Sequence, residues 1–305
     1  MKFELLTEDS DARRGRLSFG DRQVETPFFM PVATNATVRG LTIDQVADCG
    51  AQMVLSNAYH LTICPGPGRV AELGGLHNFM GWDGPILTDS GGYQVFSLAD
   101  LNDITDEGVE FQSPRDGSTL FVGPDEAVEI QEKLGPDVAM VFDQCPPHPC
   151  SREDAETAVD RTLAWARRCR EVHQRPDQAL FGIVQGSVYP KLRERCAEEL
   201  VKMDFPGYAV GGVSVGEDKE QRREMTELGA GLLPRRKPRY LMGVGFPTDI
   251  LHAVGTGIDM FDCVAPTRMG RNGTAFTRQG RVRIRNSTHN RDTAPLEEGC
   301  DCLCC

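Results

Sequence analysis

Eight short apolar runs, at 28–33, 52–57, 85–89, 138–143, 180–185, 208–212, 239–243 and 259–264, punctuate this chain, with helical patterning between them. Apolar runs of this length, lacking in-and-out alternation, read as strands buried on both faces. That requires a parallel sheet with helices packed over it. Eight β/α units favour closure into a (β/α)8 barrel over an open doubly wound sheet, and no G-x-G-x-x-G follows the first strand.

The intervening segments carry their own signals. Ser151 and Asp154 form a candidate capping box that opens a helix over 151–174. Ala155, Val159, Leu163, Ala166 and Cys169 hold its 3.6-residue stripe. Helices are also expected over 124–134, stopped by Gly135, and over 189–204. Residues 1–25 read as a strand pair closed by Gly20-Asp21, an N-terminal β cover, and Asp116-Gly117 marks a hairpin inserted near 101–122. The pattern yields eight strands but seven following helices, because an arginine-rich loop and a cysteine cluster follow the last strand. The expected division is a barrel over 1–265 and a second segment over 266–305.

Composition narrows the setting. No run of about 18 apolar residues exists, so no membrane span is expected. The first fifteen residues lack the apolar core of a signal peptide, which makes the cytoplasm the default location. Most of the eleven cysteines lie inside apolar segments at irregular spacing, as reduced thiols do. A net charge of -12 argues against a general nucleic-acid coat. A local basic patch remains: Arg268, Arg271, Arg278, Arg281, Arg283 and Arg285, with no Asp or Glu from 266 to 285. An anionic partner is expected there, beside the acid Asp262.

In a barrel of this kind chemistry sits where strands end. Those ends read Asn57, Asp89-Ser90, Asp143, Gln185, Gly211-Gly212, Met242-Gly243 and Asp262. Any one of them is ordinarily a strand or helix cap; all together they make a polar rim. Two carboxylates facing one pocket permit retaining chemistry at an acetal carbon, for which the groups lie about 5 Å apart. An Asp and a Gln beside bare backbone N–H groups suit the edge of a purine-like base.

The motifs LTDSGGYQVFSL (87–98), VFDQCPP (141–147), GIVQGS (182–187), GGVSVGE (211–217), YLMGVG (240–245) and DMFDCVAPTRMGRNG (259–273) run in one order along the whole chain. Together they closely resemble the bacterial-type tRNA-guanine transglycosylases. The resemblance implies replacement of the wobble guanine in GUN-anticodon tRNAs by the queuosine precursor preQ1, in a cytoplasmic homodimer. Asp262 would be the nucleophile on the ribose and Asp89 the general acid/base. Asp143, Gln185 and the Gly212 amide would read the base edge, Tyr93 and Met242 would sandwich its face, and Asn57 would touch the ribose. Arg268 and Arg271 would hold the tRNA anticodon loop. Val215 resembles the residue of the preQ1-using enzymes. Cys145, beside Asp143, is either pocket lining or a buried thiol.

Cys300, Cys302 and Cys305 form a C-x-C-x-x-C suited to tetrahedral zinc. The family carries a histidine downstream as fourth ligand, and this chain ends at Cys305. The expectation is a structural zinc subdomain, incomplete in this chain. Three other readings fit parts of the sequence. A non-catalytic RNA-binding partner subunit should lack the two acids. A barrel glycosidase for small substrates would not need the arginines. The archaeal-type base exchange goes with additional RNA-binding domains.

Overall fold

The computed structural model describes residues 1–94, 102–302 and 304–305. Positions 95–98 of the LTDSGGYQVFSL motif and position 101 of the expected hairpin lie outside the described residues. The chain forms two compact units, Met1–Cys263 and Val264–Cys305.

The first unit is built on a parallel sheet whose order is Phe28–Met30, Met260–Asp262, Arg239–Leu241, Gly207–Val210, Ala179–Val184, Val138–Met140, Ile86–Thr88, Val54–Ser56 and Val32–Ala33. The two ends of that order are neighbours in the chain, separated by Pro31, which has no N–H for a ladder. They act as halves of one strand. Phe28–Met30 pairs with Met260–Asp262 and Val32–Ala33 with Val54–Ser56, while the Pro31 carbonyl accepts from Leu55 N at 3.0 Å. The ring closes with eight strand positions, the (β/α)8 barrel expected from the apolar runs. Every residue of Val54–Ser56, Ile86–Thr88, Val138–Met140, Ala179–Val184 and Gly207–Val210 is buried, as strands covered on both faces must be.

The surrounding helices follow their sequence signals. Arg152–Val172 buries Ala155, Val159, Leu163, Ala166 and Cys169, together with Trp165. Ser151 Oγ accepts from Asp154 N at 3.0 Å and donates to Asp154 Oδ2 at 2.7 Å. The short aspartate reaches the hydroxyl and not the cap's own N–H, so half of the expected capping box forms. Pro124–Leu134 stops at Gly135, whose φ of 72° is left-handed. Pro190–Lys202 follows Tyr189. Among the described residues no helix is long and apolar enough to cross a membrane.

Three elements differ from the sequence reading. The N-terminal cover has three antiparallel strands, Lys2–Asp9, Ala12–Phe19 and Arg22–Thr26, and not one pair. Its first turn puts Ser10 at a φ of 54°, so no glycine announced it. The insertion adds a strand, Asn102–Ile104, to the hairpin of Val109–Gln112 and Thr119–Val122. The arginines read as a loop form, in the second unit, a helix Ala265–Arg271 and a hairpin of Thr274–Thr277 and Gly280–Arg283. Seven residues are too few for a helical period to stand out.

A buried ion pair anchors the N-terminal sheet to the barrel. Arg13 Nε donates to Asp259 Oδ1 at 2.9 Å, Arg13 Nη2 also donates to Asp259 Oδ2, and Arg239 N donates to Asp259 Oδ2 at 2.7 Å. Arg13 reaches the carbonyls of Arg235 at 2.7 Å and Lys237 at 2.6 Å as well. Asp259 immediately precedes the eighth strand, so the contact lies at the end of the barrel away from the polar rim. Removing the guanidinium leaves a buried carboxylate without its partner. Arg13→Ala should therefore lose about 3–5 kcal/mol of stability by urea denaturation. Arg14→Ala, which breaks a solvent-exposed pair with Glu25, should leave the midpoint nearly unchanged.

Candidate active site

At the carboxyl ends of the strands the polar rim of the first unit carries three hydrogen-bonded groups, one around each of Asp89, Asp143 and Asp262. Asp89 follows Ile86–Thr88, and its amide donates to Ser56 O of the neighbouring strand at 3.3 Å. Its Oδ1 accepts from Ala58 N at 2.9 Å, and its Oδ2 from Asn57 Nδ2 at 2.5 Å and Gln94 Nε2 at 3.1 Å. Asn57 also caps the helix Ala58–Ile63, its Oδ1 accepting from His60 N at 3.3 Å. A carboxamide can do both because it carries donors and an acceptor.

Asp143 lies three residues beyond Val138–Met140. Its Oδ1 accepts from Ser90 Oγ at 3.2 Å and its Oδ2 from Gln185 Nε2 at 2.7 Å. Gln185 follows Ala179–Val184, and its backbone N donates to Cys196 Sγ at 3.3 Å. Its Oε1 is buried and meets no donor among the described residues. A buried acceptor without a partner costs about 1–3 kcal/mol, a penalty that a donor on a bound molecule would relieve. Gly212 makes this arrangement possible. Its φ is +60°, and a Cβ there would stand 2.2 Å from Gln185 Oε1.

Asp262 ends the eighth strand. Its Oδ1 accepts from Tyr240 Oη at 2.6 Å and from Gly243 N at 2.7 Å. Met242, between these two donors in sequence, is half-buried, and Tyr93 is 49% exposed.

Burial dominates the electrostatics of all three acids. Loss of water pushes Asp89 up to about 7, against the Ala58 and Gly91 amides that lower it, and the charges of Asp262 and Asp143 raise it further. Asp143 rises to about 6 by burial, opposed by Gln185 and Ser90. Asp262 is also raised by burial, opposed by the Gly243 amide and the Tyr240 hydroxyl. Tyr240, fully enclosed beside Asp262, stays protonated far above neutrality and so remains a donor. Two acids in one field, one titrating near neutrality, suit acid/base work beside a second carboxylate. Cys145 is buried, and its thiol is pushed up to about 12, which makes it inert as a nucleophile.

Two residues that matter here carry no distinguishing signal in the sequence: Tyr240 lies inside an apolar strand run, and Arg193 is one of several charged residues in the 189–204 helix. The Leu192, Cys196 and Leu200 stripe gave no sign that Arg193 is 0% exposed.

In the second unit, Arg268 and Arg271 share the last turn of Ala265–Arg271 at i, i+3 spacing, on one helix face. The ligand atoms of Cys300, Cys302 and Cys305 lie within 4.8 Å of one another. Three thiolates on a tetrahedral zinc with 2.3 Å bonds sit about 3.8 Å apart, so the cluster fits three corners of such a site. His289 lies outside this cluster, facing Asp292 at 3.5 Å.

Residues 8–305 match the family model described as queuine tRNA-ribosyltransferase. The queuine tRNA-ribosyltransferase of Desulforamulus reducens is 54% identical over 305 residues, covering 100% of this chain and 82% of the relative. That of Pelotomaculum thermopropionicum is 57% identical over 298 residues, covering 98% of this chain and 80% of the relative. The similarity runs through barrel, polar rim, arginine helix and cysteine cluster alike, and the chain belongs to the queuine tRNA-ribosyltransferase family.

Proposed function

We propose that this protein is a tRNA-guanine transglycosylase, a pentosyltransferase that exchanges the wobble guanine of GUN-anticodon tRNAs for preQ1. The observation that carries this reading is the pair of enclosed carboxylates, Asp262 and Asp89, ending the eighth and third strands of a barrel in this family. Asp262 is the nucleophile. Tyr240 and Gly243 both hold Oδ1, so the attack on ribose C1′ is assigned to Oδ2. The C1′–N9 bond breaks, its electron pair goes to guanine, and Asp89 supplies the proton. The incoming base then gives a proton to Asp89, attacks C1′ through nitrogen and displaces Asp262. Each displacement inverts C1′, so two of them retain its configuration, and the bases use one pocket in turn.

Asp143, Gln185 and the Gly212 amide are assigned to the base edge, Tyr93 and Met242 to its faces, and Asn57 to the ribose. The Oε1 of Gln185, which meets no donor among the described residues, supports this assignment, since guanine and preQ1 both offer N–H groups. Arg268 and Arg271 are assigned to the anticodon loop, and the segment 266–305 to RNA and zinc. Val215 supports preQ1 as the incoming base. Cys300, Cys302 and Cys305 would hold a structural zinc, which orders the segment and takes no part in proton or bond transfer. The protein is assigned to the cytoplasm, as a homodimer.

Covalent trapping tests the nucleophile. Incubation with an anticodon stem-loop containing U-G-U, plus a saturating guanine analogue that cannot rejoin the ribose, should leave a protein–RNA band on a denaturing gel. Asp262→Asn should lose that band while still binding RNA. A band that persists in Asp262→Asn would move the nucleophile elsewhere. Tight binding with no band from either protein would favour a non-catalytic subunit.

The titration of Asp89 sets a pH dependence. Below about 7 its carboxyl carries the proton that guanine needs, and above about 7 it does not. In single-turnover guanine release kcat/KM should fall with rising pH through that value. Asp89→Asn should lose the inflection and about 10²–10⁴-fold in rate. Metal analysis by atomic absorption checks the cysteines: Cys302→Ser should retain clearly less zinc than the parent protein.

A further inference from the structure

Beneath the loop assigned to the base edge lies a charge that the proposed chemistry does not use. Arg193 sits in the first turn of Pro190–Lys202 and is completely buried. Its guanidinium donates to three main-chain carbonyls: Nε to Ser187 O at 2.7 Å, Nη1 to Gly211 O at 3.0 Å and Nη2 to Gly212 O at 2.9 Å. None of these bonds is to a carboxylate; the charge of Glu217 acts on it from further away. Burying a cation whose hydrogen bonds all go to main-chain carbonyls is expensive even with the charge of Glu217 favouring it, and a core position beside Leu192 and Cys196 would accept an apolar side chain of similar volume more cheaply.

The peptide connectivity suggests what the charge does. The carbonyl of Gly211 and the N–H of Gly212 belong to one peptide unit. The carbonyl of Gly212 and the N–H of Val213 belong to the next. A cation bonded to both carbonyls draws electrons through both units and makes both N–H groups stronger donors. The Gly212 amide points at the Cys145 sulfur, a weak acceptor that an oxygen would displace. We infer that Arg193 is a positioning residue for the exchanged base, holding Gly211 and Gly212 in place and polarising their peptides so that the loop grips a purine carbonyl oxygen as it gains negative charge. This rests on the reading of the rim as the guanine and preQ1 pocket. When the glycosidic bond breaks, guanine leaves with excess electron density spread onto that oxygen, and a polarised donor stabilises it more than the bound ground state. Burial pulls the Arg193 side chain down only to about 10, so it stays charged at neutral pH.

The test compares free guanine with 2-aminopurine, which has the same ring system and lacks the carbonyl oxygen. Calorimetry on the parent protein should show clearly tighter binding of guanine; equal affinities would overturn the base-edge reading and the inference with it. With that preference established, Arg193→Met should weaken guanine about tenfold and leave 2-aminopurine within about twofold. Equal weakening of both bases would assign Arg193 a merely structural role, and an unchanged guanine preference would show that its charge is not felt at the carbonyl; either result overturns the inference. If Arg193→Met does not fold, Arg193→Lys takes its place, because one ammonium cannot reach both glycine carbonyls in the guanidinium's geometry. A reduced guanine preference in Arg193→Lys supports the inference, and an undiminished one overturns it.

Discussion

The structure depends on one junction in the parallel ladder, where the eighth strand meets the first. Met260, Phe261 and Asp262 pair with Phe28, Phe29 and Met30, and Pro31 then hands the ring on to Val32, Ala33 and the second strand. A parallel sheet left open there would expose two unpaired edges. Closure removes both edges and brings the end of the eighth strand round to the ends of the second, third and fourth. Asp262 and Asp89, 173 positions apart in the chain, thereby come close enough for one charge to raise the other's proton affinity. The Arg13–Asp259 pair secures the same junction from the opposite end of the strands.

The rim then works by a balance of desolvation against donors. Each acid loses water, which favours its neutral form, and each receives hydrogen bonds, which favour its anion. Burial wins at Asp89, which stays poised near neutrality although Asn57, Ala58 and Gln94 all donate to it. At Asp143 the shift is smaller, because Gln185 and Ser90 oppose burial and no neighbouring carboxylate charge adds to it. Asp262 has a tyrosine hydroxyl and a glycine amide on the same oxygen, which orients its carboxylate. Rigid strands and a short glycine-rich turn hold these groups, so little reorganisation is needed when a base and a ribose arrive.

Much of this could be read before folding was considered. The eight apolar runs correspond to the eight strand positions, and Pro124, Gly135 and Ser151 mark helix ends where the chain turns. Local signals failed where no residue type announced the geometry. Ser10 takes a left-handed turn without glycine, and Ala265–Arg271 is too short to show a period. Arg193 looks like any exposed arginine on an amphipathic helix, because a one-dimensional stripe cannot show that the neighbouring loop folds over it.

By itself the sequence determined which segments are strands and helices and which residues terminate the strands, because periodicity, turn residues and chain order are local properties. The motif resemblance added the family. Only the tertiary structure decided that Pro31 splits a strand without opening the ring, that Asp89 titrates near 7, that Gln185 keeps an acceptor without a partner among the described residues, and that a buried guanidinium stands behind the Gly211–Gly212 turn. Each of these depends on distances between residues far apart in the chain, where solvent exclusion and charge act through space.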